Sequence, residues 1–173
     1  PKDAKLPDKA VLEEAKKHTS ISSLVIDKEN KTVYISDKDA SLDVGAIGKG
    51  YATEMAGKAL EAKGCTSYVL NIGGNIKIIG TKKSGDGWIT GIKDPLNSDY
   101  GYAMYLKLAD ISCVTSGNYE RYFTIDGVKY HHIIDPDTLY PANYFVSITI
   151  ITKNSGLADA LSTALFCMSY EDG

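Results

Sequence analysis

Asp43-Val-Gly-Ala-Ile-Gly-Lys-Gly-Tyr51 lies where a strand-rich stretch of the sequence gives way to a helical one. After Gly50, apolar residues recur at helical spacing up to Gly64, which is suited to end a helix; they are Ala52, Met55, Ala56, Ala59 and Leu60. A helix that begins in this loop presents free N–H groups and a dipole that favour an anion, and Lys49 adds a positive charge. A plain turn with a solvated lysine accounts for the same residues.

Two nucleotide-binding motifs do not fit this loop. The P-loop requires a glycine where Asp43 stands and a serine or threonine where Gly50 stands. The Gly-x-Gly-x-x-Gly spacing of the Rossmann fold is also absent from the loop. The loop is therefore a candidate anion site of another kind.

Upstream of the loop, the sequence predicts a short helix and a β-hairpin. The helix covers 9–18, with Asp8 as its N-cap, and the hairpin is formed by 23–27 and 32–36. The hairpin leads directly into the loop that begins at Asp43.

Downstream of the loop, strands predominate. Gly73-Gly74 and Asp126-Gly127 are typical of tight connections between strands. The predicted strands are 67–72, 75–79, 88–92, 102–108, 111–115, 122–125, 128–134 and 146–152, followed by a helix at 155–169 that Asn154 or Ser155 would cap. Because strands outnumber helices and mostly follow one another directly, we predict an α+β fold, a largely antiparallel sheet with packed helices, in a single domain over 1–173.

Composition excludes several classes of protein. With 173 residues, 43% of them hydrophobic, and a net charge of -3, the chain is large and apolar enough for one globular domain. Its 19 basic residues are scattered and outnumbered by 22 acidic ones, so we expect no nucleic-acid partner. No apolar stretch approaches the roughly 20 residues of a membrane span, and the start at Pro1 suggests a processed fragment. We expect Cys65, Cys113 and Cys167 to be buried free thiols.

Asp159 and Thr163 stand four positions apart in the last predicted helix, so they share one face. A carboxylate and a hydroxyl form a partial oxygen shell of the kind that Mg²⁺ accepts. Alternatively, Asp159 is favoured by the helix dipole in the first turn, and Thr163 is a core hydroxyl.

Two further segments carry polar groups. His131 and His132 are adjacent on a predicted strand, so at most one of them faces a site, and a structural role is the usual alternative. Thr115-Ser-Gly-Asn-Tyr-Glu-Arg121 reads as a polar turn with hydroxyls available to a ligand, or equally as a capped helical turn.

These segments, in this order, resemble the successive motifs of the ApbE family of flavin transferases (FAD:protein FMN transferases). The motifs that carry the resemblance are Asp43-Val-Gly-Ala-Ile-Gly-Lys-Gly-Tyr-Ala52, Asn71-Ile-Gly-Gly-Asn75, Gly91-Ile-Lys-Asp-Pro95, Thr115-Ser-Gly-Asn-Tyr-Glu-Arg121, His132-Ile-Ile-Asp-Pro136 and Ala158-Asp-Ala-Leu-Ser-Thr-Ala-Leu165. The resemblance implies a T-fold-like catalytic portion. It also implies an enzyme that moves FMN from FAD to a threonine of an acceptor redox protein and releases AMP.

The resemblance also implies roles for individual residues. The metal would be Mg²⁺, held by the Ala46 carbonyl, Asp159 and Thr163. The residues implied to line the FAD site are Asp43, Lys49, Ser116, Gly117 and His132. His132 is the candidate base, while Asp135 would either orient it or support the turn before Pro136.

Alternatives to the transferase follow from the same residues. A Mg²⁺-dependent FAD diphosphatase would use water in place of threonine and give FMN and AMP. A non-catalytic flavin-binding module is a further alternative, because family members carry an N-terminal portion before the region matched here that supplies part of the flavin pocket. By family analogy, the protein would be extracytoplasmic and held at a membrane by a lipid anchor outside this chain.

Overall fold

Three α-helices and ten strands form the part of the chain that the structure describes, a computed structural model of residues 4–96 and 101–173. The helices are α1 (Lys9–Lys16), α2 (Gly48–Ala62) and α3 (Ser155–Phe166), and a 3-10 turn spans Ile21–Ser23. The strands are β1 (Leu24–Asp27), β2 (Thr32–Ile35), β3 (Tyr68–Ile72), β4 (Asn75–Ile79), β5 (Trp88–Lys93), β6 (Tyr102–Leu108), β7 (Ile111–Gly117), β8 (Tyr122–Ile125), β9 (Val128–His131) and β10 (Ser147–Thr152).

A four-stranded sheet in the order β10-β7-β4-β3 carries the site, and its neighbouring strands are antiparallel. Alternation along β4 turns Asn75 and Lys77 to the same face, where they contact Ser155 of α3 and Glu54 of α2. Both helices therefore pack on one face of the sheet. This arrangement confirms the predicted α+β fold with an antiparallel sheet and packed helices.

The remaining strands form three separate antiparallel hairpins, β1-β2, β5-β6 and β8-β9. Between β8 and β9, Asp126 and Gly127 both have positive φ, at 48° and 79°. Two successive positive φ values are the requirement of the two-residue turn that the Asp-Gly pair predicts. That predicted hairpin is confirmed.

An apolar cluster forms where α3 ends against the loop after β9. Ile133, Ala142 and Phe166 are buried there, with Phe145, Ile148 and Cys167 packed around them. The backbone supports this cluster, because the Ala142 N–H donates to the Ile133 carbonyl over 2.9 Å. The cluster anchors the C-terminal end of α3 and leaves the N-terminal end for the site.

The buried face of α2 differs from its apolar periodicity. Gly50, Thr53, Glu54 and Gly57 are buried, while the apolar residues whose spacing predicted the helix are exposed or half-buried. The physical reason is close packing: a Cβ at Gly57 would lie 2.7 Å from the Lys77 Cε. The polar residues on this face are accommodated by hydrogen bonds, since the Thr53 hydroxyl donates to the Lys49 carbonyl over 2.7 Å.

Several boundaries differ from those predicted. β7 continues to Gly117, so Ser116 and Gly117 belong to a strand and not to a turn, because β10 pairs with them. β9 ends at His131 and not at 134, because Ile134 forms an isolated bridge with Pro141. α2 begins two residues earlier than predicted, and α3 ends at Phe166, three residues earlier.

The prediction of three buried thiols was wrong, and the Asp8 N-cap is confirmed in position only. Cys65 is exposed, and Cys167 is only half-buried, so of the predicted buried thiols only Cys113 is fully enclosed. Asp8 stands at the N-cap of α1 but makes no side-chain cap hydrogen bond, whereas Asn154 caps α3 through the Leu157 N–H as predicted. Within 4–96 and 101–173, none of the helices has the length and hydropathy that crossing a membrane would need.

Candidate functional site

The loop before α2 is held by its own backbone and by Asp43. Asp43 Oδ1 accepts the Gly45 N–H at 2.7 Å, and the N–H groups of Ile47 and Gly48 donate to the Val44 carbonyl at 3.0 and 2.8 Å. These bonds tighten the turn around Ala46, which is exposed. The Asp43 carboxylate thus shapes the loop that the sequence singled out.

Asp159 is the most enclosed carboxylate of the candidate site, with 3% of its surface exposed. Its Oδ2 accepts the Gly50 N–H at 2.7 Å, and its Oδ1 lies 3.8 Å from the Lys49 Nζ. The first turn of α2 therefore meets α3 at this side chain, which belongs to the fifth residue of α3. The N-terminal end of the α2 dipole and the positive charge of Lys49 both lie beside it.

The Ala46 carbonyl precedes α2 and takes no part in its hydrogen bonding. The helix begins at Gly48 with Ile47 as N-cap, so the Gly50 N–H is one of the first N–H groups, which have no acceptor within the helix. Here this N–H donates to Asp159 instead. Among the described residues the Ala46 carbonyl accepts no backbone hydrogen bond, and it is left free as an oxygen ligand.

Thr163 and Ser116 extend this cluster along α3 and onto the sheet. The Ser116 Oγ on β7 lies 2.8 Å from the Ser162 Oγ and 3.5 Å from the Thr163 Oγ1. The hydroxyls of Ser162 and Thr163 both donate to the Asp159 carbonyl, at 2.9 and 3.4 Å. Carboxylate, carbonyl and hydroxyl oxygens are the ligand types that Mg²⁺ prefers.

Glycines form two borders of the cluster. Gly73, with φ of 57°, turns β3 into β4, and a Cβ there would lie 3.7 Å from the Lys49 Cδ. At Gly117 a Cβ would lie 2.4 Å from the Tyr119 Cε1, so this position has no room for a side chain. The stem of Lys49 is thereby flanked by bare backbone, which a ligand can approach closely, whereas the Tyr119 ring packs on the end of β7 at Gly117.

The two adjacent histidines face opposite ways. His131 is buried, and its Nε2–H donates to the Ala142 carbonyl at 2.8 Å while its Nδ1 accepts the Ile133 N–H at 3.3 Å. Its ring meets Phe166 edge-on with centroids 5.7 Å apart, and burial lowers its pKa. His131 is therefore a satisfied neutral core residue.

His132 is exposed and differently bonded. Its Nδ1 lies 3.2 Å from the Arg121 carbonyl, and because a carbonyl only accepts, Nδ1 carries the proton. In the neutral ring this tautomer leaves the Nε2 lone pair free to accept a proton. No hydrogen bond or ion pair within the described residues joins His132 to Asp159 or Thr163, so the histidine and the oxygen cluster are separate parts of the candidate site.

Asp135 supports a turn. Its carboxylate is buried and its Oδ1 accepts the N–H groups of Asp137 and Thr138 at 2.8 and 3.4 Å. The bond from Asp137 is the main reason that the pKa of Asp135 lies below its ordinary value. Of the two predicted roles, the geometry favours support of a turn, but that turn covers 136–138 and so begins at Pro136 and does not precede it.

A buried polar network lies beside the site, and it was not predicted from the sequence. Lys77 Nζ donates to Glu54 Oε2 at 3.0 Å, and the same oxygen accepts the Ser155 N–H at 3.0 Å. The Ser155 hydroxyl in turn donates to Asn75. One signal was available: alternation in β4 places Asn75 and Lys77, two polar residues, on the same face as each other.

A second group of potential metal ligands lies away from the site. His18 Nδ1 is 2.8 Å from Asp37 Oδ2, with Asp39 close by, at the end of α1. The hydrogen bond from Asp37 raises the pKa of His18 above its ordinary value. This pair ties α1 to the segment that follows β2 and is satisfied by its own contacts.

Comparison with known proteins places these features in one family. The model of the ApbE family matches residues 1–173. The chain is 41% identical over 150 residues to the FAD:protein FMN transferase of Treponema pallidum, covering 81% of this chain and 41% of that protein. It is 32% identical over 169 residues to a protein of the same name from Klebsiella pneumoniae, covering 97% of this chain and 52% of the relative.

Solved structures agree with the sequence relatives. The crystal structure of the ApbE protein from Thermotoga maritima matches 95% of this chain with a TM-score of 0.87 and 41% identity, over 52% of its own length. The flavin transferase ApbE from Vibrio cholerae matches 98% of this chain with a TM-score of 0.84 and 30% identity, over 53% of its length. The chain thus spans about half the length of these relatives.

Proposed function

The chain belongs to the ApbE family, and from that premise we propose that it serves transfer of FMN from FAD to a threonine of an acceptor protein, with Mg²⁺ as cofactor and AMP as the second product. One observation carries the proposal. The enclosed carboxylate of Asp159 meets the glycine loop at the N-terminus of α2, with Lys49 beside it and Thr163 one turn along α3.

The residues present fit a magnesium ion. Asp159 uses Oδ2 for the Gly50 N–H, while Oδ1 accepts no hydrogen bond among the described residues and lies beyond bonding distance of Lys49, at 3.8 Å. Asp159 Oδ1, the Ala46 carbonyl and the Thr163 hydroxyl would hold the ion. When bound, Mg²⁺ would offset the charge that develops on the diphosphate during transfer.

Lys49 and the helix ends would bind the diphosphate. An anion at the N-termini of α2 and α3 is favoured by their dipoles, and Lys49 supplies a full positive charge at the same place. Asp43, Ser116 and Gly117 would line the flavin side of this cleft.

His132 would act as the general base. The threonine oxygen of the acceptor would attack the phosphorus of the FMN phosphate, the bond to the AMP phosphate would break, and the hydroxyl proton would pass to His132 Nε2. The hydrogen bond from Nδ1 to the Arg121 carbonyl supports this role, because it sets the tautomer and the orientation of the ring. The acceptor would be a redox protein outside the cytoplasm, with a lipid anchor tethering the enzyme.

A Mg²⁺-dependent FAD diphosphatase is the second candidate, and a flavin-binding module without turnover is the third. The observation in favour of the diphosphatase is that the exposed His132, with its Nε2 unprotonated in the neutral ring, would accept a proton from water as well as from threonine. The same residues would serve the diphosphatase, with water as the nucleophile in place of threonine.

The test is an incubation of this chain with FAD, Mg²⁺ and a purified acceptor protein, followed by intact-mass analysis and measurement of FMN and AMP. Acceptor that gains the mass of FMN, with matching AMP, is the expected result. Free FMN and AMP with unmodified acceptor would favour the diphosphatase. Absence of turnover would contradict both enzymatic functions for these residues alone. His132→Ala and EDTA-treated samples are the controls.

A further inference from the structure

Helices α2 and α3 cap each other reciprocally. The Gly50 N–H of α2 donates to Asp159 of α3 at 2.7 Å, and the Ser155 N–H of α3 donates to Glu54 of α2 at 3.0 Å. In each helix the carboxylate lies four residues after the N–H donor, so Glu54 in α2 is the counterpart of Asp159 in α3. Asp159 belongs to the proposed metal site, whereas Glu54 has no assigned role.

The helices have little freedom to slide at this crossing. A Cβ at Gly50 would lie 2.4 Å from the Ser155 carbonyl oxygen and 2.5 Å from the Asp159 Cβ. The two helices therefore approach so closely at Gly50 that no side chain fits between them, and the two capping bonds determine how α3 is placed along α2. A shift of α3 would move Asp159 and Thr163 together, because both lie on the same helix face.

Glu54 is held in place by charge as well as by the helix. Its side chain is 10% exposed and that of Lys77 is 6% exposed, and their 3.0 Å contact is an enclosed ion pair. Burial by itself would raise the pKa of Glu54, but the Ser155 N–H and then Lys77 outweigh burial and lower it. The carboxylate is therefore charged, and charged acceptors make the stronger cap at a helix N-terminus.

Lys77 connects the pair to the sheet and to the start of α3. Its Nζ also lies 3.4 Å from the carbonyl of Lys153, the second residue before α3. The segment leading into the helix is thus bound from both sides, at Lys153 by Lys77 and at Ser155 by Glu54. Neither Glu54 nor Lys77 contacts Asp159, Thr163 or the Ala46 loop through any hydrogen bond or ion pair among the described residues.

We propose that Glu54 is a positioning residue of the magnesium site, which acts through its hydrogen bond from the Ser155 N–H to fix α3 and so present Asp159 Oδ1 and the Thr163 hydroxyl to one ion. This inference rests on the proposed metal site. The part of Glu54 that matters for the metal is its acceptor oxygen at Ser155, and the charge matters for keeping Lys77 buried.

Two double variants separate the acceptor from the charge. Glu54→Gln/Lys77→Met removes both charges but keeps an amide oxygen for the Ser155 N–H, and Glu54→Leu/Lys77→Met removes both charges and the acceptor. Replacing a buried ion pair by uncharged residues is often neutral for stability. Glu61→Gln, at an exposed position of the same helix, is the matched control for a lost glutamate charge.

The readout is the affinity for Mn²⁺, used as a paramagnetic substitute for Mg²⁺ and measured by electron paramagnetic resonance on the whole chain without FAD. Unfolding in urea is measured in parallel. We expect the glutamine variant and Glu61→Gln to bind as the unmodified chain does. The leucine variant should lose about tenfold in affinity or more, the range seen when outer partners of metal sites are removed.

The outcomes are distinct. Equal Mn²⁺ affinity in the leucine and glutamine variants would overturn the positioning role, whether both bind normally or both lose affinity. If the leucine variant does not fold, Glu54→Asp provides the same comparison. The shorter carboxylate withdraws from both partners of the Oε2 oxygen, and the long Lys77 side chain can follow it while the Ser155 backbone N–H cannot. Unchanged affinity in this variant would also overturn the positioning role. No Mn²⁺ binding by the unmodified chain would instead reject the metal site itself, and this inference with it.

Discussion

The backbone N–H of Gly50 and the Oδ2 of Asp159 form a 2.7 Å hydrogen bond between residues 109 positions apart. The bond holds the N-terminal part of α3 against the glycine loop. It satisfies one of the first N–H groups of α2, which have no acceptor within the helix. A single contact therefore encloses a carboxylate, caps α2 and lies next to Lys49.

Gly50→Ala is expected to destabilise the protein and to weaken metal binding. The new Cβ would lie 2.4 Å from the Ser155 carbonyl oxygen, and this atom belongs to backbone that cannot rotate away. We expect a loss of about 2 kcal/mol or more in the free energy of unfolding, measured in urea, because overpacked sites force backbone shifts.

Gly48→Ala is the matched control for that substitution. Gly48 lies on the same helix as Gly50, and a Cβ there would have the Val44 Cγ2 at 3.9 Å as its nearest neighbour, which is an ordinary contact. Stability should stay the same or rise by up to about 1 kcal/mol, the difference in helix propensity between glycine and alanine. Equal losses in both variants would contradict the close contact between the two helices.

Asp159→Asn should abolish most metal binding while the fold is kept. The amide oxygen can still accept the Gly50 N–H, but the negative charge facing Lys49 and the ion is lost. We expect Mg²⁺ affinity, measured by calorimetry, to fall by more than about tenfold, since even outer partners of metal sites have effects of this size. Glu29→Gln, at an exposed turn, should leave the affinity unchanged; a fall there would point to bulk charge as the cause.

Substitution of the two histidines should separate activity from stability. His132→Ala should reduce the rate of FMN transfer or FAD cleavage by about 10²–10⁴-fold, the usual contribution of a general base. Its unfolding transition should change little, because the ring is exposed and makes one hydrogen bond at 3.2 Å.

His131→Ala should show the opposite pattern. It leaves the Ala142 carbonyl without its donor and removes the ring from Phe166, so we expect a loss of about 1–3 kcal/mol in the free energy of unfolding. Transfer rates per folded molecule should be nearly normal. A stable His131→Ala variant with no activity would reverse the roles assigned to the pair.

His18 and His131 should have pKa values on opposite sides of the ordinary histidine value of 6.5. The hydrogen bond with Asp37 raises the pKa of His18, so its stabilising effect is complete below the unfolded value and is lost as pH rises through the folded one. Burial lowers the pKa of His131, so stability is lost as pH falls from the unfolded value to the folded one. NMR titration of the ring protons checks both directions, and a His131 pKa above that of His18 would contradict the burial described here.

Local sequence signals were sufficient for the order of helices and strands. The Asp126-Gly127 turn, the Gly64 and Asn154 helix ends and the alternating strands could all be predicted, because each depends on residues a few positions apart. The face of α2 could not be predicted in this way. None of the apolar residues that predicted the helix is fully buried, since close packing selects Gly50 and Gly57 for the contacts with α3 and β4.

The sequence by itself determined the α+β pattern, the turns and the set of residues able to bind a metal, an anion or a proton. Tertiary structure decided which of those groups meet: Asp159 with Gly50, and Glu54 with both Lys77 and Ser155. It also decided that His131 is enclosed by Ala142 and Phe166 while His132 stays accessible. The physical reason is distance along the chain. Helix and strand propensities act between residues a few positions apart, whereas burial and hydrogen bonding depend on distant segments that only the packed fold brings together.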